Sequence, residues 1–256
     1  MVPLPIMAAT FMLAMARYTP LLVLPGMTPL GWAPLVVRTV LLIALAWLTL
    51  IWLPEDGYWS PTKSMTMLLF AGVSELAIGA VFGLAFMLPT AGLHTGGWLI
   101  DLQAGLGAAT LLNPSGDSAS ESLLGQVLLL GATVLFFTLN LHLQFFKVLV
   151  ASTEVLPLGG AGIRANPAVF LQMLGTSFAL GLVIVAPILI VLFCLDVAIA
   201  FASRSMPQAN VYFIALPLKV AVAFALMAVT LRQLPAWIDT LYRGAISQLP
   251  KLLGAH

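Results

Sequence analysis

The sequence predicts an all-α membrane protein built of long, kinked helical hairpins. Three observations lead there. Of the 256 residues, 61% are hydrophobic and only 7% are charged, against about 25% charged in a soluble domain. The few charges, the glycines and the prolines divide the chain into six apolar segments joined by short links. Two of those segments run to about 34 and 36 residues, well past the roughly 20 that cross a hydrocarbon core of about 30 Å.

Composition also narrows the function. Ten Lys and Arg against nine Asp and Glu leave a formal net charge of +1. So few charges cannot coat a water-soluble body of this size, which argues against a soluble monomeric enzyme. A disordered regulator needs the opposite composition. Ten scattered cations build no basic face for nucleic acid. Cys194 is the single cysteine, so no intramolecular disulfide is possible. Its apolar neighbours, Val191 to Leu195, suggest a small buried hydrophobe. The start, Met1 to Pro5, has no basic stretch and no clear cleavage site, so the first helix is expected to drive insertion without a cleaved signal.

The elements follow in order. The first segment runs from about Leu4 to Leu24 and contains Arg17; a Pro-rich link with Pro20, Pro25, Pro29 and Pro34 follows. The second covers about Leu35 to Leu53 and is stopped by Pro54-Glu55-Asp56-Gly57. The third, about Ser64 to Leu88, holds Glu75 and is expected to end at Pro89. Gly92 to Leu112 is apolar but glycine-rich, and Asn113 to Ser122 is the long polar loop. The fourth segment is about Leu123 to Leu156, the fifth about Ala168 to Ser203, and the sixth about Val211 to Leu231. Arg232 to His256 reads as an amphipathic tail. At 1.5 Å per residue the fourth and fifth reach roughly 50 Å each. Tilt absorbs only part of that. Either they kink, with Pro187 the expected point in the fifth, or other protein covers their apolar surface. The spread of Lys and Arg slightly favours a cytoplasmic C-terminus.

Eight of the 21 glycines lie between Gly72 and Gly107. Gly79 with Gly83, and Gly92 with Gly96, form two GxxxG pairs, a spacing that lets helix backbones approach closely in lipid. Tight helix-packing seams are the expectation. The competing readings are the general glycine richness of membrane helices and, for Gly97, Gly105 and Gly107, a flexible stretch that can move.

Arg17, Glu75, Asp101, Lys147, Asp196 and Lys219 lie in apolar surroundings, where a charge needs a partner. Ser203 to Gln208 reads as a turn. Asp196 lies 11 residues before Pro207 and Lys219 lies 12 after it. An antiparallel hairpin would put both at one depth, which predicts an Asp196–Lys219 ion pair. The alternatives are pairing with another subunit or facing a water-filled lumen. Asn140 and His142 suggest an interhelical hydrogen-bonding patch; no metal-ligand spacing accompanies them. No nucleophile elbow or phosphate-binding loop is present, so no catalytic, cofactor or metal site is expected. On the residues alone, a proton-coupled small-molecule permease using Glu75, Asp101 or Asp196 stays open.

Several short stretches, in register along essentially the whole chain, resemble the FliR/SctT family of type III export-gate membrane proteins. Arg204 to Lys219 resembles that family's Ala-Pro-Gln-Leu-Asn…Pro-Leu-Lys region and carries the turn motif Pro207, Gln208 and Asn210. Leu102 to Ala109 looks like its Leu-Gln-Met-Gly-Leu segment, and Asn113-Pro114 falls where the family has Asp-Pro or Asn-Pro. Leu135 to His142 is similar to its Leu-Phe-Leu…Asn-Gly-His stretch, with Leu141 in place of the glycine. Leu156 to Gly159, Ala16-Arg17 and Pro34 to Arg38 also match.

The resemblance implies a non-enzymatic channel subunit of a type III export gate, multi-pass in the bacterial inner membrane. It favours the flagellar branch and the flagellar basal body, with the injectisome counterpart as the alternative. It implies FliP-like and FliQ-like gate subunits and an FlhB-like switch protein as partners, unfolded secreted proteins as cargo, and the lipid bilayer as surroundings, with no nucleic acid and no cofactor. It treats residues 1–256 as one domain. It further implies that the loop from about Gly105 to Glu121, including Gly107, Asn113, Pro114, Ser115, Gly116 and Asp117, plugs the lumen.

Overall fold

The computed structural model describes residues 3–23, 33–53, 59, 65–106, 122–160, 166–205 and 211–252. Among these residues there are seven α-helices and no strand. They are α1 (Leu4–Leu22), α2 (Leu35–Trp52), α3 (Met65–Ala104), α4 (Leu123–Thr138), α5 (Leu141–Val155), α6 (Pro167–Ser205) and α7 (Val211–Leu252). The chain divides into two compact units. The first is Met1–Leu88, Asn140–Leu174 and Arg243–His256; the second is Pro89–Leu139 and Gly175–Tyr242.

In the first unit α1 packs on α2. The buried positions of α1 include Leu13, Ala14, Arg17, Tyr18 and Leu21, and those of α2 are Leu42, Leu45, Ala46, Thr49 and Leu50. Each set recurs at three and four residues, which places it on one helical face. A hydrogen bond of 2.9 Å joins the Tyr18 and Thr49 hydroxyls and satisfies two buried polar groups. Phe86 of α3 and Phe145 of α5 sit 4.3 Å apart by ring centroid. In the second unit, Phe136 of α4 and Tyr242 of α7 meet at 5.2 Å.

Several element ends differ from the expectation. The helix begun at Met65 passes through Pro89 and continues to Ala104. A proline inside a helix forfeits one hydrogen bond. In apolar surroundings, stopping the helix would leave many more backbone groups unpaired, so carrying on costs less. By the same logic α6 continues through Pro187 as one element. The amphipathic tail is no separate piece, because α7 runs on to Leu252.

The fourth apolar segment, in contrast, splits into α4 and α5 at Asn140, which is left-handed with φ 56°. Asn tolerates that conformation better than most side chains, and hydropathy carries no trace of it. Cys194 is exposed, not buried, because it lies on a face of α6 that this chain leaves uncovered.

Among the described residues, four helices are long and apolar enough to cross a membrane, namely α2, α3, α6 and α7; taken as one span, the broken pair α4 and α5 makes a fifth. Among the described residues the six apolar segments therefore do not translate into six such helices. In the most apolar stretch of α7 only 17% is buried within the chain, so lipid or other protein must cover the rest.

Candidate functional site

Two polar clusters stand out in apolar surroundings, one in each unit. In the first, Arg17 is 0% and Glu75 1% exposed. Arg17 Nε donates to Glu75 Oε2 at 2.5 Å and Nη2 donates to Oε1 at 3.1 Å, a bidentate pairing. Nη2 also donates to the Leu156 carbonyl at 2.8 Å. Nη1 donates to the Ser152 carbonyl and hydroxyl oxygens at 3.3 Å. The Gly159 N–H donates to Glu75 Oε1 at 2.8 Å. One ion pair thus binds α1, α3, α5 and the turn after α5.

Glycine makes that approach possible. A Cβ on Gly79 would collide with the Arg17 backbone, so α3 and α1 touch main chain to main chain. Gly159 has φ 71°, and a Cβ there would come 2.6 Å from Trp59 Cδ1.

The second cluster lies at the C-terminal end of α3. The helix closes on Gly105 with φ 84°. The Gly105 N–H bonds to Leu102 O at 3.3 Å and the Leu106 N–H to Asp101 O at 3.0 Å. This is the Schellman closure, and glycine takes the left-handed position without penalty. The Asp101 side chain, with the residue 5% exposed, accepts from Ser122 Oγ at 2.6 Å and from the Leu124 N–H at 3.2 Å. Ser122 caps α4, accepting from the Gly125 N–H at 2.8 Å. A carboxylate in the last turn of α3 opposes that helix's dipole, but at the N-terminus of α4 it is stabilised.

Lys219 of α7 completes the cluster. Its Nζ donates to the Gln103 carbonyl at 3.1 Å, supplying a cation to the free end of α3. It also forms a salt bridge with Asp196 of α6. The structure therefore brings Asp196 and Lys219 together and ties both to the end of α3.

The glycine pairs divide between the units. Gly79 lies against α1, and Gly83 is buried. Gly92 and Gly96 face α6, where a Cβ would come 2.5 Å from Ser177 O and 3.1 Å from Gly181 O respectively. A Cβ on Gly97 would come 2.1 Å from Gly125 Cα, and one on Gly125 would come 2.5 Å from Ser122 Oγ. A shallow apolar cavity of about 240 Å³, lined by Gly92, Thr95, Gly96, Leu99, Phe178 and Leu182, follows the α3–α6 seam.

Asn140 is exposed at the break between α4 and α5, and His142 is half-buried two residues on. Gly107, Asn113, Pro114, Ser115, Gly116 and Asp117 lie outside the described residues, as do Pro207, Gln208 and Asn210. Among the described residues, no group of three or more His, Cys, Asp or Glu could hold a metal ion. Ser122, Ser152, Gly125 and Gly181 join these contacts without a sequence signal, except that a serine directly before an apolar run marks a helix cap.

Comparison with known proteins bears on what these clusters serve. The family described as bacterial export proteins, family 1, matches residues 8–245. The flagellar biosynthetic protein FliR of Escherichia coli (strain K12) is 28% identical over 186 residues, covering 72% of this chain and 71% of that protein. FliR of Aquifex aeolicus (strain VF5) is 31% identical over 175 residues, covering 67% of each. The Yop proteins translocation protein T of Yersinia pestis is 28% identical over 178 residues, covering 67% of this chain and 66% of that protein.

Proposed function

The chain belongs to the bacterial export proteins, family 1, and from that premise we infer that it is a non-enzymatic channel subunit of the flagellar type III export gate. It sits in the bacterial inner membrane at the flagellar basal body, multi-pass, and passes unfolded proteins outward. The observation that carries this reading is the family match over residues 8–245, which spans both compact units; we treat 1–256 as one functional domain on that ground. The large uncovered apolar surface of α2, α6 and α7 supports assembly with FliP-like and FliQ-like subunits and an FlhB-like protein. Within that assembly the loop from Gly105 to Glu121 acts as the plug of the lumen. Its glycines and small polar residues suit a segment that moves between protein and water.

The likeness to the Yop translocation protein T supports a second reading, the injectisome counterpart. Deleting the gene in the source bacterium separates the two. The flagellar reading predicts loss of filaments and swimming; intact flagella with lost effector secretion would favour the injectisome. The plug is tested by removing Asn113 to Ser120 and measuring ion leak in cells carrying the whole gate. More leak is expected, and unchanged leak would count against it.

A further inference from the structure

Within the second unit, the uncovered surface of α6 is interrupted by one charge. Ile190, Phe193, Val197 and Phe201 are exposed there, a stretch of roughly 16 Å at 1.5 Å per residue. Inside that stretch the Asp196 side chain is 40% exposed, whereas that of its partner Lys219 is 16% exposed. The open side of the ion pair is therefore the carboxylate. On α7, Leu216 and Leu218 are exposed beside Lys219, so the pair lies in an apolar face on both helices.

The charges are also unevenly matched. Lys219 Nζ is shared between Asp196 and the Gln103 carbonyl, the latter at 3.1 Å, where the negative end of the α3 dipole takes part of its charge. Asp101, two residues before Gln103, is held by the Ser122 hydroxyl and the Leu124 N–H, and by no cation among the described residues. The end of α3 thus gathers two carboxylates and one ammonium. Residues 64–146 contain no Lys or Arg, so neither α3, α4 nor the link between them supplies another. An open carboxylate in apolar surroundings is costly until a cation meets it. Apolar side chains lie on both sides of Asp196 along the helix, so that cation comes sideways from another helix and not from a lipid headgroup layer. We propose that this face docks an apolar helix of another chain that carries one Lys or Arg at the depth of Asp196. This rests on the gate-subunit reading above and adds the chemistry of the contact.

The test uses cells expressing the complete gate. A photo-reactive phenylalanine analogue in place of Ala200, which is exposed one turn from Asp196, should crosslink to a different protein. The adduct should fall on a helix with a Lys or Arg within one turn of it. Asp196→Asn should lower recovery of that protein with this chain by about tenfold or more, and Asp196→Glu, which keeps the charge, should restore most of it. In the isolated chain Asp196→Asn should melt no lower than Lys219→Met, because both break the same internal pair. In the gate Lys219→Met should lower recovery less than Asp196→Asn, because Asp196 keeps the incoming cation. Adducts with lipid alone, with a second copy of this chain, or with a helix lacking Lys and Arg overturn the proposal. Equal loss of recovery from the two variants also overturns it. Normal assembly with Asp196→Asn overturns the contact and leaves the gate reading standing. If the unaltered chain recovers no other protein, the gate reading fails and the contact with it.

Discussion

Removing the Glu75 carboxylate should cost this protein more than almost any other single change. Arg17 is fully buried and its guanidinium is directed to Glu75, Ser152 and Leu156. In Glu75→Ala the Arg17 charge keeps its bonds to neutral oxygens but loses its counterion in a dry site. Breaking a buried pair by removing one partner costs about 3–5 kcal/mol. At about 2–4 °C per kcal/mol for a chain of this size, the apparent Tm should fall by roughly 6–20 °C. Arg17→Met leaves the Glu75 carboxylate with the Gly159 N–H and should cost a similar amount. The double variant strands neither charge, so its cost should fall short of the sum by up to about 3 kcal/mol. It should not reach wild-type stability, because Leu156 O and Gly159 N–H lose partners, at about 1–3 kcal/mol for each buried group left unmade. The assay is thermal unfolding of the detergent-solubilised protein for all four members of the cycle. Additive effects within about 0.5 kcal/mol, or a single loss no larger than the ~1 kcal/mol of a surface pair, would refute the reasoning.

Three other outcomes follow from the same packing. Gly97→Ala forces a Cβ into the Gly125 backbone and should cost about 1–3 kcal/mol by overpacking, whereas Gly72→Ala meets nothing within 4 Å and should be neutral or stabilising by up to about 1 kcal/mol; melting curves of the two separate these outcomes. Asn140→Val puts a β-branched residue at φ 56° and should cost about 1–2 kcal/mol, with Asn140→Gly close to neutral, again by thermal unfolding. Lys219→Met removes the partly exposed pair with Asp196 and the bond to Gln103; it should cost about 1 kcal/mol, and the difference from wild type should shrink as salt rises.

Much of this is legible in the residues, for identifiable reasons. The ends of α1 and α2 follow from the bounds of the apolar runs, because Pro34 and Pro54 bracket the second. The Asp196–Lys219 contact follows from symmetry about a turn, 11 residues one way and 12 the other. The Arg17–Glu75 pair offers no such symmetry. Both residues stand out as costly charges, but 58 positions separate them, and the Gly79 crossing that brings their helices together leaves no spacing signal. Pro89 misleads because the stop rule holds where water can take up freed backbone groups, and here it cannot. The left-handed Asn140 hides inside an unbroken apolar run. Asp101 reads as a charge in need of a partner, yet its bonds depend on how α3 closes, which the pattern of side chains does not reveal.

The uncovered apolar helices support the assembly that the functional account requires, because α6 and α7 expose Phe178, Leu182, Phe193, Phe201 and Phe213 on the single chain. A gate subunit meets other chains there; a self-contained permease meets lipid. Native mass measurement of the complex purified gently through this chain decides between them. The account predicts a heteromeric assembly in which this chain co-purifies stoichiometrically with the neighbouring export-gate subunits. A monomer, or an assembly of this chain alone that takes up a small solute in liposomes, would contradict it.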